Sequence, residues 1–113
     1  MTLMEWKYTN GFSPSEFATS VEIDDDAALT DDQKDLFVAV TASAASKSLV
    51  LGLAPGQHMI VTNIGGTNAL TIKAITGDTG SSLATGKTAL VIGSGTANAS
   101  KILVLNSERT SNV

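Results

Sequence analysis

The chain contains no cysteine, which excludes disulfide staples and thiolate chemistry. A single histidine, His58, leaves no set of imidazoles for a metal centre, since stable sites need three or four converging ligands. Aromatic residues make up only 4% of the 113 residues. Many of the apolar positions are alanine, so the expected core is lean and association with other subunits is expected to add stability. Seven basic residues stand against eleven acidic ones, a net charge of −4. That balance disfavours nucleic-acid phosphate as a partner, because neutralising it needs clustered Lys and Arg. No uncharged stretch is apolar enough to read as a bilayer span. The start, Met-Thr-Leu-Met-Glu-Trp, lacks the basic and apolar regions of a secretion signal. The length fits one domain, folded in a reducing cytoplasm, with no membrane and no nucleic acid as partner.

What is present divides near residue 36. Residues 1–35 hold nine of the eleven acidic side chains. They also hold Trp6, Tyr8, Phe12 and Phe17, every aromatic except Phe37. This part is expected to be an extended arm with one or two short helical turns. Ser13-Pro14-Ser15-Glu16 and Thr30-Asp31-Asp32-Gln33 both have the capping-box spacing that satisfies free amides at a helix start. The four aromatics make the arm a candidate protein-interaction segment, because aromatic side chains remove much area from water while losing few rotamers. The competing expectation is that the arm folds back over its own domain.

Residues 36–113 read as a β-domain. Leu36–Ala42, Lys47–Leu53, His58–Asn63, Ala69–Thr76, Lys87–Ile92 and Lys101–Asn106 are predicted strands. Leu49, Leu51 and Leu53 alternate onto one face, as do Leu70 and Ile72. Leu53-Ala54-Pro55-Gly56-Gln57-His58-Met59-Ile60-Val61 is echoed thirty residues later by Leu83-Ala84-Thr85-Gly86-Lys87-Thr88-Ala89-Leu90-Val91, so one turn-and-strand unit is used twice. Gly65-Gly66-Thr67-Asn68 is expected to close a hairpin. Short strands between glycine turns indicate an all-β fold, a small antiparallel β-sandwich of jelly-roll type. With only two repeat units visible, a β-solenoid is set aside.

Candidate chemistry is sparse. Gly80 to Thr88 approaches a phosphate-binding loop, but five residues separate Gly80 from Gly86 where four are required. A strand-like run follows, not the helix such a loop feeds. Leu53-Ala54-Pro55-Gly56 resembles the turn opening the first cupin motif, yet the histidines that would complete a cupin metal site are missing. Asp24, Asp25, Asp26, Asp31 and Asp32 carry the hard oxygens calcium prefers, without calcium-loop spacing. They read as a solvated acidic linker. No catalytic residue, cofactor or metal is expected.

From Leu49 to Leu105 the chain resembles domains of bacteriophage virion structural proteins, of the head-fibre and capsid-decoration type, and related tail-fibre modules. The residues carrying the resemblance are Val61-Thr62-Asn63, Thr67-Asn68-Ala69-Leu70-Thr71-Ile72-Lys73, Ser82-Leu83-Ala84-Thr85-Gly86-Lys87 and Ile102-Leu103-Val104-Leu105. The resemblance implies a non-enzymatic virion protein, assembled in the host cytoplasm and often trimeric. It implies that residues 1–35 grip the major capsid protein or another virion protein. A carbohydrate-binding, host-adhesion module of a tail fibre is the alternative it leaves open.

Overall fold

The computed structural model describes residues 18–105. It is all-β, with one short 3-10 turn. In chain order the strands are β1 (Ala18–Ile23), β2 (Ala27–Ala28), β3 (Phe37–Ala42), β4 (Lys47–Val50), β5 (His58–Asn63), β6 (Leu70–Lys73), β7 (Ser81–Leu83), β8 (Thr88–Ile92) and β9 (Lys101–Leu105). They form a five-stranded sheet ordered β1-β3-β5-β8-β9 and a four-stranded sheet ordered β2-β4-β6-β7.

The sheets are not antiparallel throughout, which corrects the expected jelly-roll arrangement. β1, β3 and β5 run parallel in one sheet, and β2, β4 and β6 run parallel in the other. The chain alternates sheets at each step, so β1–β2, β3–β4 and β5–β6 are three stacked coils. Partners lie 19 and 23 residues apart in the first sheet, as in Ala18↔Phe37 and Phe37↔Ile60. In the second they lie 22 and 23 apart, as in Ala27↔Leu49 and Lys47↔Leu70. The coil architecture set aside on sequence grounds is therefore present in the first half. Short linkers do not make hairpins here because each carries the chain across to the facing sheet. Gly65-Gly66-Thr67-Asn68 is one such crossing. The chain then reverses: β7 pairs antiparallel with β6, β8 with β5, and β9 with β8.

The thirty-residue echo is visible in its first half. Ala54-Pro55-Gly56-Gln57 and Ala84-Thr85-Gly86-Lys87 are equivalent turns, closed by Gln57 N–H to Ala54 O at 3.0 Å and Lys87 N–H to Ala84 O at 3.1 Å. Gly56 and Gly86 both take a left-handed φ, 81° and 83°, the third-position geometry of a type II turn that favours glycine. The strands that follow, β5 and β8, pair with each other, with Met59 opposite Val91. The second halves part company: Ile72 lies in the four-stranded sheet and Ile102 in the five-stranded one.

One core lies between the sheets. Val38, Val40, Met59, Val61, Ala89 and Val91 meet Leu49, Leu51, Leu70, Ile72 and Leu83, all buried. The period-2 pattern of each strand puts these positions on the inward face. The expected division at residue 36 is not a structural boundary, because β1 pairs along its full length with β3. Ile23 and Leu29 are also buried in the shared core. The 3-10 turn Asp31–Gln33 follows Thr30, whose N–H donates to Gln33 Oε1 at 3.0 Å, so this capping sequence does open a helical turn. Its counterpart at Ser13–Glu16 lies outside the described residues.

Candidate functional site: an apolar sheet face and its polar anchors

The two sheets differ in what they turn outward. On the four-stranded sheet the outward positions include Ser48, Thr71, Lys73 and Ser82, flanking the inward Leu49, Leu70, Ile72 and Leu83. Ala28 and Val50 also face outward, so that face is mainly, though not wholly, hydrophilic. On the five-stranded sheet one cross-strand row reads Ala18, Phe37, Ile60, Leu90, Leu103, each the direct partner of the next. Every strand contributes an apolar side chain, and the row crosses the whole sheet. Phe37 is 37% and Leu103 51% exposed. The next row is Ser20, Ala39, Thr62, Thr88, Leu105, with the Thr62 and Thr88 hydroxyls 2.9 Å apart. Cross-strand neighbours of this kind form one continuous surface.

β9 adds to this surface by overhanging the smaller sheet. Its inward residues are Ile102 and Val104, opposite Val91 and Ala89. Val91 and Ala89 are fully buried, whereas Val104 is 42% exposed, because the facing sheet has no fifth strand above it. Among the described residues, Leu103, Val104 and Leu105 are thus exposed on both faces of an edge strand. Below the overhang, Ile102 and Leu103 meet Asp78, Ser81, Asn98 and Lys101 around an open cleft of about 290 Å³. Exposed apolar surface beside an unpaired backbone edge is what natural edge strands usually avoid.

Two buried polar side chains hold the scaffold that carries this face. Asn63 sits at an inward position of β5 and is fully buried. Its Nδ2 donates to Asn68 O and to Leu83 O, both at 3.0 Å, joining the crossing loop and the four-stranded sheet to β5. Asp78, also buried, accepts Ala74 N–H at 3.0 Å and Ile75 N–H at 3.2 Å on Oδ2. Its Oδ1 accepts Asn98 N–H at 2.6 Å, tying the β6–β7 loop to the β8–β9 loop. Sequence reading did not single out either residue as an anchor. The signal for Asn63 was a polar residue continuing the inward alternation of Met59 and Val61.

The acidic run forms a corner of the coil. Asp26 Oδ1 accepts Ser48 N–H at 3.0 Å, while Asp25 Oδ1 accepts Asp26 N–H at 2.8 Å and Lys47 Nζ at 3.3 Å. The backbone bond from Asp26, then the bond and charge of Lys47, hold the Asp25 carboxyl below its ordinary value. A carboxylate shifted down contributes stability that is present above its unfolded pKa and lost as pH falls through the folded one. Asp25→Asn is expected to flatten slightly the fall in melting temperature as pH drops below the ordinary carboxylate range, about pH 4. Thermal scans across that range check it, and an unchanged slope would remove this corner from the acid response.

His58 is exposed at the start of β5, and Lys87 precedes β8 in a turn with no helix after it. Among the described residues no three His, Cys, Asp or Glu side chains converge as metal ligands. Among them, too, no helix is long and apolar enough to cross a membrane. Trp6, Tyr8, Phe12 and Phe17 lie outside the described residues. The fold defines the molecule as a small all-β protein of stacked parallel coils with an antiparallel end. Comparison with protein-family models finds no match, and comparisons with curated proteins and with solved structures find none either.

Proposed function

We propose that this chain is a non-enzymatic virion structural protein, of the capsid-decoration or head-fibre type, that adheres to a phage particle and stabilises it or presents its β-body. The observation supporting this reading is the contrast between the two outer faces, one mainly hydrophilic and one crossed by an apolar row to which all five strands contribute. A surface of that kind suits lasting contact with other protein chains. The resemblance running from Leu49 to Leu105 supplies the particle. In this reading the protein is a homo-oligomer, a trimer, and its partner is the major capsid protein or another virion protein. Trp6, Tyr8, Phe12 and Phe17 provide the attachment segment. Repetition over a lattice then raises effective concentration without strong single contacts.

The test is binding of the full chain to particles that lack it. Trp6→Ala with Phe12→Ala is expected to weaken occupancy about tenfold or more, the usual consequence of truncating aromatic anchors. Undiminished binding would take the segment out of the mechanism. Absence of binding by the unsubstituted chain would end the virion reading.

A further inference from the structure

We infer that residues 1–17 close the open end of the coil stack, with Trp6 and Tyr8 set over the core beside Ala27 of β2. The inference rests on the coil and stands whether or not the protein belongs to a virion. In the virion reading it makes the attachment segment a folded end of the stack, not a separate tether.

Three observations point there. First, the stack has an uncovered end. β1 and β2 are the outer strands of their sheets at the same end, and among the described residues nothing pairs with their free edges. Their inward residues Val21 and Ala27 are only partly buried, whereas their partners one coil further in, Val40 and Leu49, are fully buried. A stack of repeats needs a terminal unit over such an end, because each coil shields only its neighbour. Second, the chain arrives at that end, since residues 1–17 lead directly into Ala18, the first residue of β1. They bring Trp6, Tyr8, Phe12 and Phe17, while residues 18–105 hold a single aromatic, the outward-facing Phe37. Third, the coil's own spacing places a strand. The chain crosses from the second sheet to the first in ten residues between Ala27 and Phe37, and in eleven between their register partners Leu49 and Ile60. Ala18 is the partner of Phe37 on the preceding coil. The same crossing, counted back from Ala18, puts Tyr8 or Lys7 beside Ala27. Ala27 packs against the core, so the second choice would turn a lysine into it. The first turns Tyr8 inward, and with it Met4 and Trp6, while Glu5, Lys7 and Thr9 face solvent. That stretch alternates apolar and polar residues as a one-sided strand does. Ala27 is small and leaves room for a ring beside it.

The experiment uses the purified full chain with no particle present, so its outcome is separate from that of the particle-binding test. Circular dichroism on every variant establishes folding. Trp6 is the only tryptophan, and its emission is expected to lie to the blue of exposed indole and to resist acrylamide quenching. Ala27→Lys is expected to shift that emission to the red. Ile60→Lys, on the outer face of the five-stranded sheet, is expected to leave it unchanged. Trp6→Ala is expected to lower the urea midpoint of the whole domain, which truncating a separate tether would not do. Because the chain has no cysteine, Tyr8→Cys with Ala27→Cys tests the register directly. The pair is expected to form an intrachain disulfide on oxidation, since neighbouring strand positions lie within the roughly 4.4–6.8 Å between Cα atoms that a disulfide spans. Lys7→Cys with Ala27→Cys, whose side chains point to opposite faces, is expected to form it far more slowly. Emission of exposed indole from the unsubstituted chain overturns the inference, as does a folded Tyr8→Cys, Ala27→Cys variant that forms no disulfide. A red shift on Ile60→Lys and not on Ala27→Lys seats the segment on the outer sheet face and equally overturns it. So does a disulfide that links two chains, which puts the segment on a neighbour's stack.

Discussion

Replacing Asn63 with aspartate is expected to cost about 3–5 kcal/mol, a large fraction of the roughly 5–15 kcal/mol that holds a domain of this size. The side chain is fully buried and its amide donates to two carbonyls, of Asn68 and Leu83. Aspartate of the same shape turns both contacts into oxygen facing oxygen. It also places a charge where water cannot reach. The defect should ease in acid, because burial raises the new carboxyl's pKa and protonation restores one donor. Asn63→Ala leaves the same carbonyls unpaired without the charge and should cost about 2–3 kcal/mol. Urea midpoints at neutral and mildly acidic pH measure both variants. Equal losses for aspartate and alanine at neutral pH would mean that the site admits solvent.

Asp78→Ala is the second large effect, expected at about 3 kcal/mol. Three backbone N–H groups, of Ala74, Ile75 and Asn98, point at this carboxylate. A bond to a charged acceptor contributes about 1.5–3 kcal/mol. Because the Ile75 and Asn98 amides are only part-buried and can turn to water, the net loss is near that of one such bond plus the stranded Ala74 donor. Asn98 is held in a left-handed conformation, φ 62°, and its Oδ1 accepts Thr79 N–H at 2.6 Å. The two loops are therefore cross-tied in both directions. Asp78→Asn keeps one acceptor and should lose less than alanine does. Denaturation midpoints together with amide exchange at Ala74 and Asn98 are the measurements. Protection of both amides surviving in Asp78→Ala would show that the loops hold without the carboxylate.

Most strands could be read from alternation, and their inward residues with them. Leu49, Leu51 and Leu53 are buried as the pattern requires, and β5 spans the residues expected of it. The pairing partners could not be read. Alternation says which face a side chain takes, and not whether the next strand lies beside it or across the core. Three coils hid behind short linkers for that reason. β1 shows the same limit differently. Thr19, Val21 and Ile23 alternate inward opposite Val38, Val40 and Ala42, but the surrounding acidic residues made the segment look like solvated linker. Those acids sit at the corner where the coil turns, with Asp26 bound to Ser48. β7 is three residues long, too short for any period to register. The apolar face was legible in principle, since Ile60, Leu90 and Leu103 fill the outward slots of runs that a one-sided strand would leave polar. Its continuity across the sheet depends on register, which composition does not encode. Asp78 is a further case: a lone loop carboxylate shows nothing in sequence of the amides that converge on it.

The coil has a consequence for how such a molecule changes length. Each turn repeats after 22 or 23 residues in the four-stranded sheet and presents the same inward positions to its neighbour. A whole extra turn inserted between β4 and β5 would lengthen the stack by about 4.8 Å while leaving the cross-section untouched. β7 and β8 lie where a fourth parallel turn would otherwise continue, so their reversed direction works as a terminator. Height is thus adjustable in whole steps, and one end of the stack fixes where counting stops.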